Sequence, residues 1–134
     1  MAFVSDKQIR FHHCDPAGIV FYPNYFRWMD ATFHRLLKDM AGGHSHICRQ
    51  LGAVGIGLIE TELGFRSPAS DGDTIGFRIL DMEWATRSVT VRYEAVVDQR
   101  RVLEGFERRG LFLMHDGKMI AGEIARLSAL LRLG

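Results

Sequence analysis

The chain has few cysteines and prolines, two and three respectively in 134 residues, and no excess of either charge. Cys14 and Cys48 cannot build a disulfide framework, and both are compatible with a reducing compartment. With 17 basic against 16 acidic residues the formal charge is +1. Whole-molecule attraction to nucleic acid or an anionic membrane is therefore not expected, and recognition of a phosphorylated ligand has to be local. No apolar run approaches the ~20 residues of a membrane-spanning helix. The opening MAFVSDKQIR also lacks the long apolar segment of a signal peptide. These absences predict a soluble cytoplasmic protein with no membrane or nucleic-acid partner. The length fits one domain over residues 1–134, able to bury roughly two-thirds of its unfolded surface.

What is present centres on Phe11 to Asp30, FHHCDPAGIVFYPNYFRWMD. Asp15-Pro16-Ala17-Gly18 reads as a turn, because Pro16 lacks an N–H and Gly18 accepts positive φ. Tyr22-Pro23 reads as a helix entry, where the missing N–H of proline is no loss. From there Phe26, Met29, Phe33, Leu36 and Met40 recur three and four apart, predicting one apolar stripe on a helix that Gly42-Gly43 ends. A helix start offers free N–H groups to a carbonyl oxygen. Asp15 is then placed either to attack that carbonyl, to activate water, or simply to form the turn by bonding its own backbone.

The rest of the chain reads as a first strand over Ala2–His12, then the long helix, then a connector HSHICRQL that is either irregular or briefly helical. A meander of strands comes next. In Val54–Phe65, Ile59, Thr61, Leu63 and Phe65 alternate with Glu60, Glu62 and Gly64, predicting one dry and one wetter face. RSPASDGD breaks the chain before a strand over Thr74–Trp84, and Val89 to Val97 keeps a period of two. Val102–His115 is a strand with a charged middle, Glu107-Arg108-Arg109, closed by the turn pair Asp116-Gly117. Ile120, Ile124, Leu127 and Leu131 predict a C-terminal helix. The order gives an α+β fold, an antiparallel sheet wrapped on one long helix, with an edge strand and a second sheet face that need a partner.

Other constellations carry less. His12, His13, Cys14 and Asp15, with His44, His46 and Cys48, match no established zinc spacing, so no metal site is expected. His13, two residues from Asp15, would share its face in extended chain and could hold the carboxylate ionised. Cys14 is an alternative nucleophile for which the sequence places no base. Tyr22, Tyr25, Phe26 and Trp28 are either an aromatic substrate wall or core.

The string CDPAGIVFYPNYFRWMD resembles the signature of the 4-hydroxybenzoyl-CoA thioesterase family of hotdog-fold acyl-CoA thioesterases, and the order of elements matches that family as far as about His115. The resemblance implies a hotdog fold, with the sheet around a central helix, and hydrolysis of an aromatic or short-chain acyl-CoA with coenzyme A as part of the substrate and no other cofactor. It implies a homodimer or homotetramer with active sites between subunits. It puts the catalytic carboxylate on Asp15, as nucleophile or general base, and the carbonyl-polarising N–H on Tyr22, with Gly18 and Arg87 as further substrate-binding positions. Related enzymes carry several basic residues in the turn after the Glu-Trp pair. Here that turn reads Glu83-Trp84-Ala85-Thr86-Arg87 and keeps only Arg87, which leaves Arg108, Arg109 or an acyl-carrier-protein substrate as alternatives. A hydroxyacyl-thioester dehydratase needs a helix-borne histidine and carboxylate that this string does not show. A non-catalytic acyl-CoA-binding module is the remaining alternative.

Overall fold

The computed structural model describes residues 3–131. In chain order they form β1 (Phe3–Gln8), a 3-10 turn (Phe11–His13), α1 (Pro23–Ala41), α2 (His44–Leu51), β2 (Gly55–Phe65), β3 (Thr74–Trp84), β4 (Val89–Val97), β5 (Arg100–His115), β6 (Lys118–Ala121) and α3 (Ala125–Leu131). One sheet takes the order β1-β3-β4-β5-β2, and β6 pairs with β5. β1 runs antiparallel to β3 from Phe3↔Ile79 to Gln8↔Thr74. Ala2, at the start of the expected first strand, lies outside the described residues. That strand also stops earlier than expected, since His12 belongs to the 3-10 turn.

The structure resolves into two compact units. One takes the chain up to Phe33 with Glu62–Asp81 and Arg92–Gly105; the other takes His34–Thr61, Met82–Val91 and the chain from Phe106 onward. In the first, the opening half of α1 buries Tyr25, Trp28, Met29, Thr32 and Phe33. Met29 and Phe33 belong to the expected stripe, whereas Phe26 is only half-buried, so the dry face is centred nearer Tyr25 and Trp28. Thr32 fits inside because its hydroxyl donates to the Trp28 carbonyl at 2.8 Å, which leaves no bare polar atom. β4 turns into β5 through Asp98 and Gln99, whose φ values of 49° and 70° are left-handed although neither residue is glycine.

In the second unit, α1 continues with buried Leu36 and Leu37, while Met40 is half-buried. The connector is a true helix, α2, ended by Gly52 in the left-handed conformation with its N–H on the Cys48 carbonyl. Arg126 of α3 donates to the Leu51 carbonyl of α2 at 2.7 Å. The tail differs from expectation. Asp116 and Gly117 both have positive φ and pair His115 with Lys118, so Ile120 lies in β6 and the helix begins only at Ala125. A two-residue Asp-Gly turn reverses the strand into a hairpin before any helix can start.

Two readings of the strands need correction. β2 ends the sheet order, and its expected dry side stays open, with Ile59 and Phe65 42% and 48% exposed. The charged middle of β5 is partly interior: Glu107 and Arg109 are 1% and 2% exposed. Two residues apart on one strand, they share a face. Arg109 Nε and Nη2 donate to the two oxygens of Glu107 at 3.0 and 2.8 Å, a fork that satisfies both charges. Arg109 is therefore not available as a solvent-facing phosphate contact. Arg108, on the opposite side, pairs with Glu60 at 2.7 Å.

Breaking that buried fork should cost far more than removing it. Glu107→Ala takes the carboxylate away from a buried guanidinium and is expected to lose about 3–5 kcal/mol in urea unfolding. Glu107→Leu/Arg109→Met should be the more stable of the two variants, and the opposite ranking would show that the pair is not desolvated in solution.

Candidate functional site

The loop ahead of α1 is built by local bonds. The Ala17 N–H donates to Asp15 Oδ1 at 2.8 Å and the Gly18 N–H to the Asp15 carbonyl at 2.9 Å, with Gly18 at φ 80°. The Asp15 N–H returns to the Ile19 carbonyl at 2.9 Å, and Cys14 bridges Val20 in antiparallel fashion. This small hairpin is fastened on both sides. The His13 carbonyl accepts from the Phe21 N–H at 2.9 Å and from Asn24 Nδ2 at 2.8 Å, and the Val20 N–H donates to the Ala69 carbonyl at 2.9 Å. α1 then starts at Pro23.

A cleft of about 540 Å³ opens beside this loop, lined by Asp15, Ile19, Val20, Tyr22, Tyr25, Phe65, Arg66, Ser67 and Pro68. That size suits a small organic group. Asp15 and Tyr22, both expected from the sequence, are brought together here. Only Oδ1 of Asp15 carries a hydrogen bond among the described residues, and the Tyr22 N–H, one residue before the helix, has no acceptor among them. Two residues that line the cleft thus carry a carboxylate and an N–H at the positive end of a 19-residue helix. Of the expected aromatic wall, Tyr22 and Tyr25 line the cleft and Phe26 and Trp28 do not. Tyr25 is buried with its ring 5.7 Å from Phe65 and its hydroxyl bonded to the Ala69 backbone, and burial raises its pKa.

The sequence marks the opposite wall only as a break. Ser67 Oγ donates to the Arg101 carbonyl at 2.7 Å and receives Arg100 Nη1 at 2.7 Å, while the same Nη1 donates to the Pro68 carbonyl at 2.6 Å. Arg66 pairs with Glu104 at 2.6 Å, which holds that carboxyl below its ordinary value. A proline beside small polar residues signals a loop; nothing local signals that Arg100, Arg101 and Glu104 order it.

His13 does not sit in extended chain beside Asp15. It closes the 3-10 turn, its Nδ1 accepting the Arg10 N–H at 2.8 Å, so the neutral ring carries its proton on Nε2. Its ring meets Trp28 edge-on at 5.1 Å. Desolvation, then the charges of His12, Lys7 and Arg10, lower its pKa. The sequence idea of an imidazolium supporting the carboxylate is replaced by a neutral structural histidine.

Gly18 sets the turn and is not among the cleft residues. Arg87 is exposed in the β3–β4 turn and belongs to the other unit. Cys14 directs its thiol to the Arg10 carbonyl at 3.7 Å. Among the described residues no three His, Cys, Asp or Glu side chains are grouped to hold a metal. His44 instead accepts the Ile56 N–H at 3.1 Å and faces Cys48 Sγ at 3.8 Å. No helix among the described residues is long and apolar enough to cross a membrane.

Residues 17–104 match the model of a family described as the thioesterase superfamily. The chain is 30% identical over 120 residues to 4-hydroxybenzoyl-CoA thioesterase of Pseudomonas sp. strain CBS-3, covering 85% of this chain and 84% of that one. The solved structure of 4-hydroxybenzoyl-CoA thioesterase from that strain superposes with a TM-score of 0.86 at 26% identity, over 96% of this chain and 98% of that one. An aspartate-to-asparagine mutant of 4-hydroxybenzoyl-CoA thioesterase, complexed with 4-hydroxybenzoyl-CoA, matches at a TM-score of 0.86 and 25% identity, over 97% and 98%.

The lowered pKa of His13 has a definite sign. The unfolded chain takes up the proton first, so the contribution of His13 to stability is complete above the ordinary histidine value near ~6.5 and is lost as pH falls below it toward the folded value. His13→Asn keeps an acceptor for the Arg10 N–H but does not titrate. Thermal melts between about pH 7.5 and about pH 5.5 should show the melting point of the natural protein falling more than that of the variant, and parallel curves would contradict it.

Proposed function

The chain belongs to the thioesterase superfamily, the family of 4-hydroxybenzoyl-CoA thioesterase, and is a hotdog-fold acyl-CoA thioesterase; from that premise we propose that it hydrolyses an aromatic acyl-CoA with Asp15 as its catalytic carboxylate. The observation that carries this reading is that Asp15 and Tyr22, whose N–H has no acceptor among the described residues, line one aromatic-lined cleft. The relative captured with 4-hydroxybenzoyl-CoA is itself a mutant in an aspartate, which supports the same assignment.

In the proposed reaction the thioester carbonyl oxygen accepts the Tyr22 N–H, and the helix end stabilises negative charge as it develops there. Asp15 acts by one of two routes. As general base it takes a proton from water, whose oxygen bonds to the carbonyl carbon; the C–S bond then breaks and coenzyme A leaves as thiol with that proton. As nucleophile its carboxylate displaces the thiolate to form an anhydride, which water hydrolyses. Both routes release free acid and coenzyme A and need no further cofactor. Ile19, Tyr25 and Phe65 would surround the acyl group. Arg87 would meet the coenzyme A phosphates, a homodimer or homotetramer would complete the site, and the cytoplasm would be its compartment. The open side of β2 supports the oligomer.

The direct test is thiol release from a panel of acyl-CoAs, which a binding module or a dehydratase would not produce. Asp15→Asn keeps the Oδ1 acceptor for the Ala17 N–H and should fold, with kcat lower by at least ~10²-fold and KM little changed. Near-full turnover in Asp15→Asn together with a lowered melting point in Asp15→Ala would reduce Asp15 to a turn-former.

Arg87→Ala should raise KM by about ten- to hundredfold with kcat nearly constant, as expected for loss of a charge-assisted contact to the nucleotide. An unchanged KM moves the phosphate contact away from the β3–β4 turn.

A further inference from the structure

Resting on the thioesterase reading, we propose that Arg66 selects for acyl groups whose far end carries a hydrogen-bond-accepting oxygen, a hydroxyl or a carboxylate, over plain hydrocarbon acyl groups. Among the described residues Arg66 is the one cation lining an otherwise largely apolar cleft. Of the other polar side chains there, the Tyr22 hydroxyl makes no hydrogen bond among the described residues, and the rest are at least partly engaged. Ser67 Oγ both donates and accepts, the Tyr25 hydroxyl is tied to the Ala69 backbone, and Asp15 holds the Ala17 N–H.

The geometry of Arg66 suits this task. Glu104 Oε1 accepts from Nε at 2.6 Å and lies 2.6 Å from Nη2, so the carboxylate sits against one edge of the guanidinium. Nη1 makes no hydrogen bond among the described residues, and its two N–H groups remain for a ligand. Arg101 Nη1 holds the other oxygen of Glu104 at 3.3 Å, which fixes the carboxylate from behind. A guanidinium held by one edge loses less side-chain freedom on binding than a loose one. An apolar acyl end placed against it would remove water from those donors without replacing the bonds, a penalty that discriminates more strongly than an added methylene does.

The experiment measures kcat/KM by thiol release for benzoyl-CoA, 4-hydroxybenzoyl-CoA and 4-carboxybenzoyl-CoA, with the natural protein and with Arg66→Met. The Arg66–Glu104 pair is solvent-exposed, so the variant should fold with a nearly unchanged melting point. The preference for the oxygenated substrates over benzoyl-CoA should fall at least about tenfold in Arg66→Met. The larger drop identifies which end group Arg66 favours: neutral hydroxyl or carboxylate. Arg66→Lys, which keeps a donor, should restore part of the preference. Equal losses on all three substrates, or an unchanged ratio, would overturn the proposal while leaving the thioesterase reading intact. Absence of thiol release from every acyl-CoA by the natural protein would overturn the thioesterase reading itself.

Discussion

The cleft depends on one carbonyl group. The oxygen of His13 accepts from the Phe21 N–H and from Asn24 Nδ2, so the chain is clamped to itself on either side of the Asp-Pro-Ala-Gly turn. A single acceptor with two lone pairs thereby fixes both ends of the stretch that carries Asp15 and the start of α1. Each bond helps to reference the carboxylate to the helix that offers the Tyr22 N–H. The surrounding devices serve the same end. The Asp15–Ile19 bond and the Cys14–Val20 bridge narrow the loop, and the Val20–Ala69 bond holds it to the facing wall. His13 accepts the Arg10 N–H on Nδ1, which closes the turn that leads into the loop.

Electrostatics divides the charged residues by what lies next to them rather than by type. Glu107 and Arg109 are inside, and their desolvation is offset by the paired charges, with Arg109 Nη1 also donating to the Ile56 carbonyl at 3.5 Å. Arg66 and Glu104 are open to water, where such a pair adds little stability and is better understood as orientation. Arg100 is also exposed, and it commits one nitrogen to Ser67 and Pro68 to give the 66–68 segment a defined shape.

Local chemistry is legible in the sequence and remote chemistry is not. The Asp15–Gly18 turn, the helix entry at Pro23 and the spans of β3 and β4 are set by neighbours in sequence, and the structure has them at the expected positions. The Arg66–Pro68 wall depends on Arg100, Arg101 and Glu104, more than thirty residues away, and no local pattern announces them. Arg109 reads as surface because charge usually is. The signal that it is not lies in the carboxylate two positions earlier, on the same face of the strand. Ile120 fits helical spacing, yet Asp116-Gly117 is the stronger cue, since a two-residue turn folds the chain straight back as a second strand. Sequence alone leaves Asp15 open between turn-former and catalyst, and the bond to Ala17 shows that forming the turn engages only one of its oxygens.

The turn between β4 and β5 has a different implication. Asp98 and Gln99 both occupy left-handed backbone, a conformation that costs a residue with a Cβ roughly 1–2 kcal/mol. Asn-Gly is the pair this geometry favours. The hairpin therefore holds untapped thermal tolerance. Heat resistance could be gained there in two adjacent codons that encode no residue of the cleft.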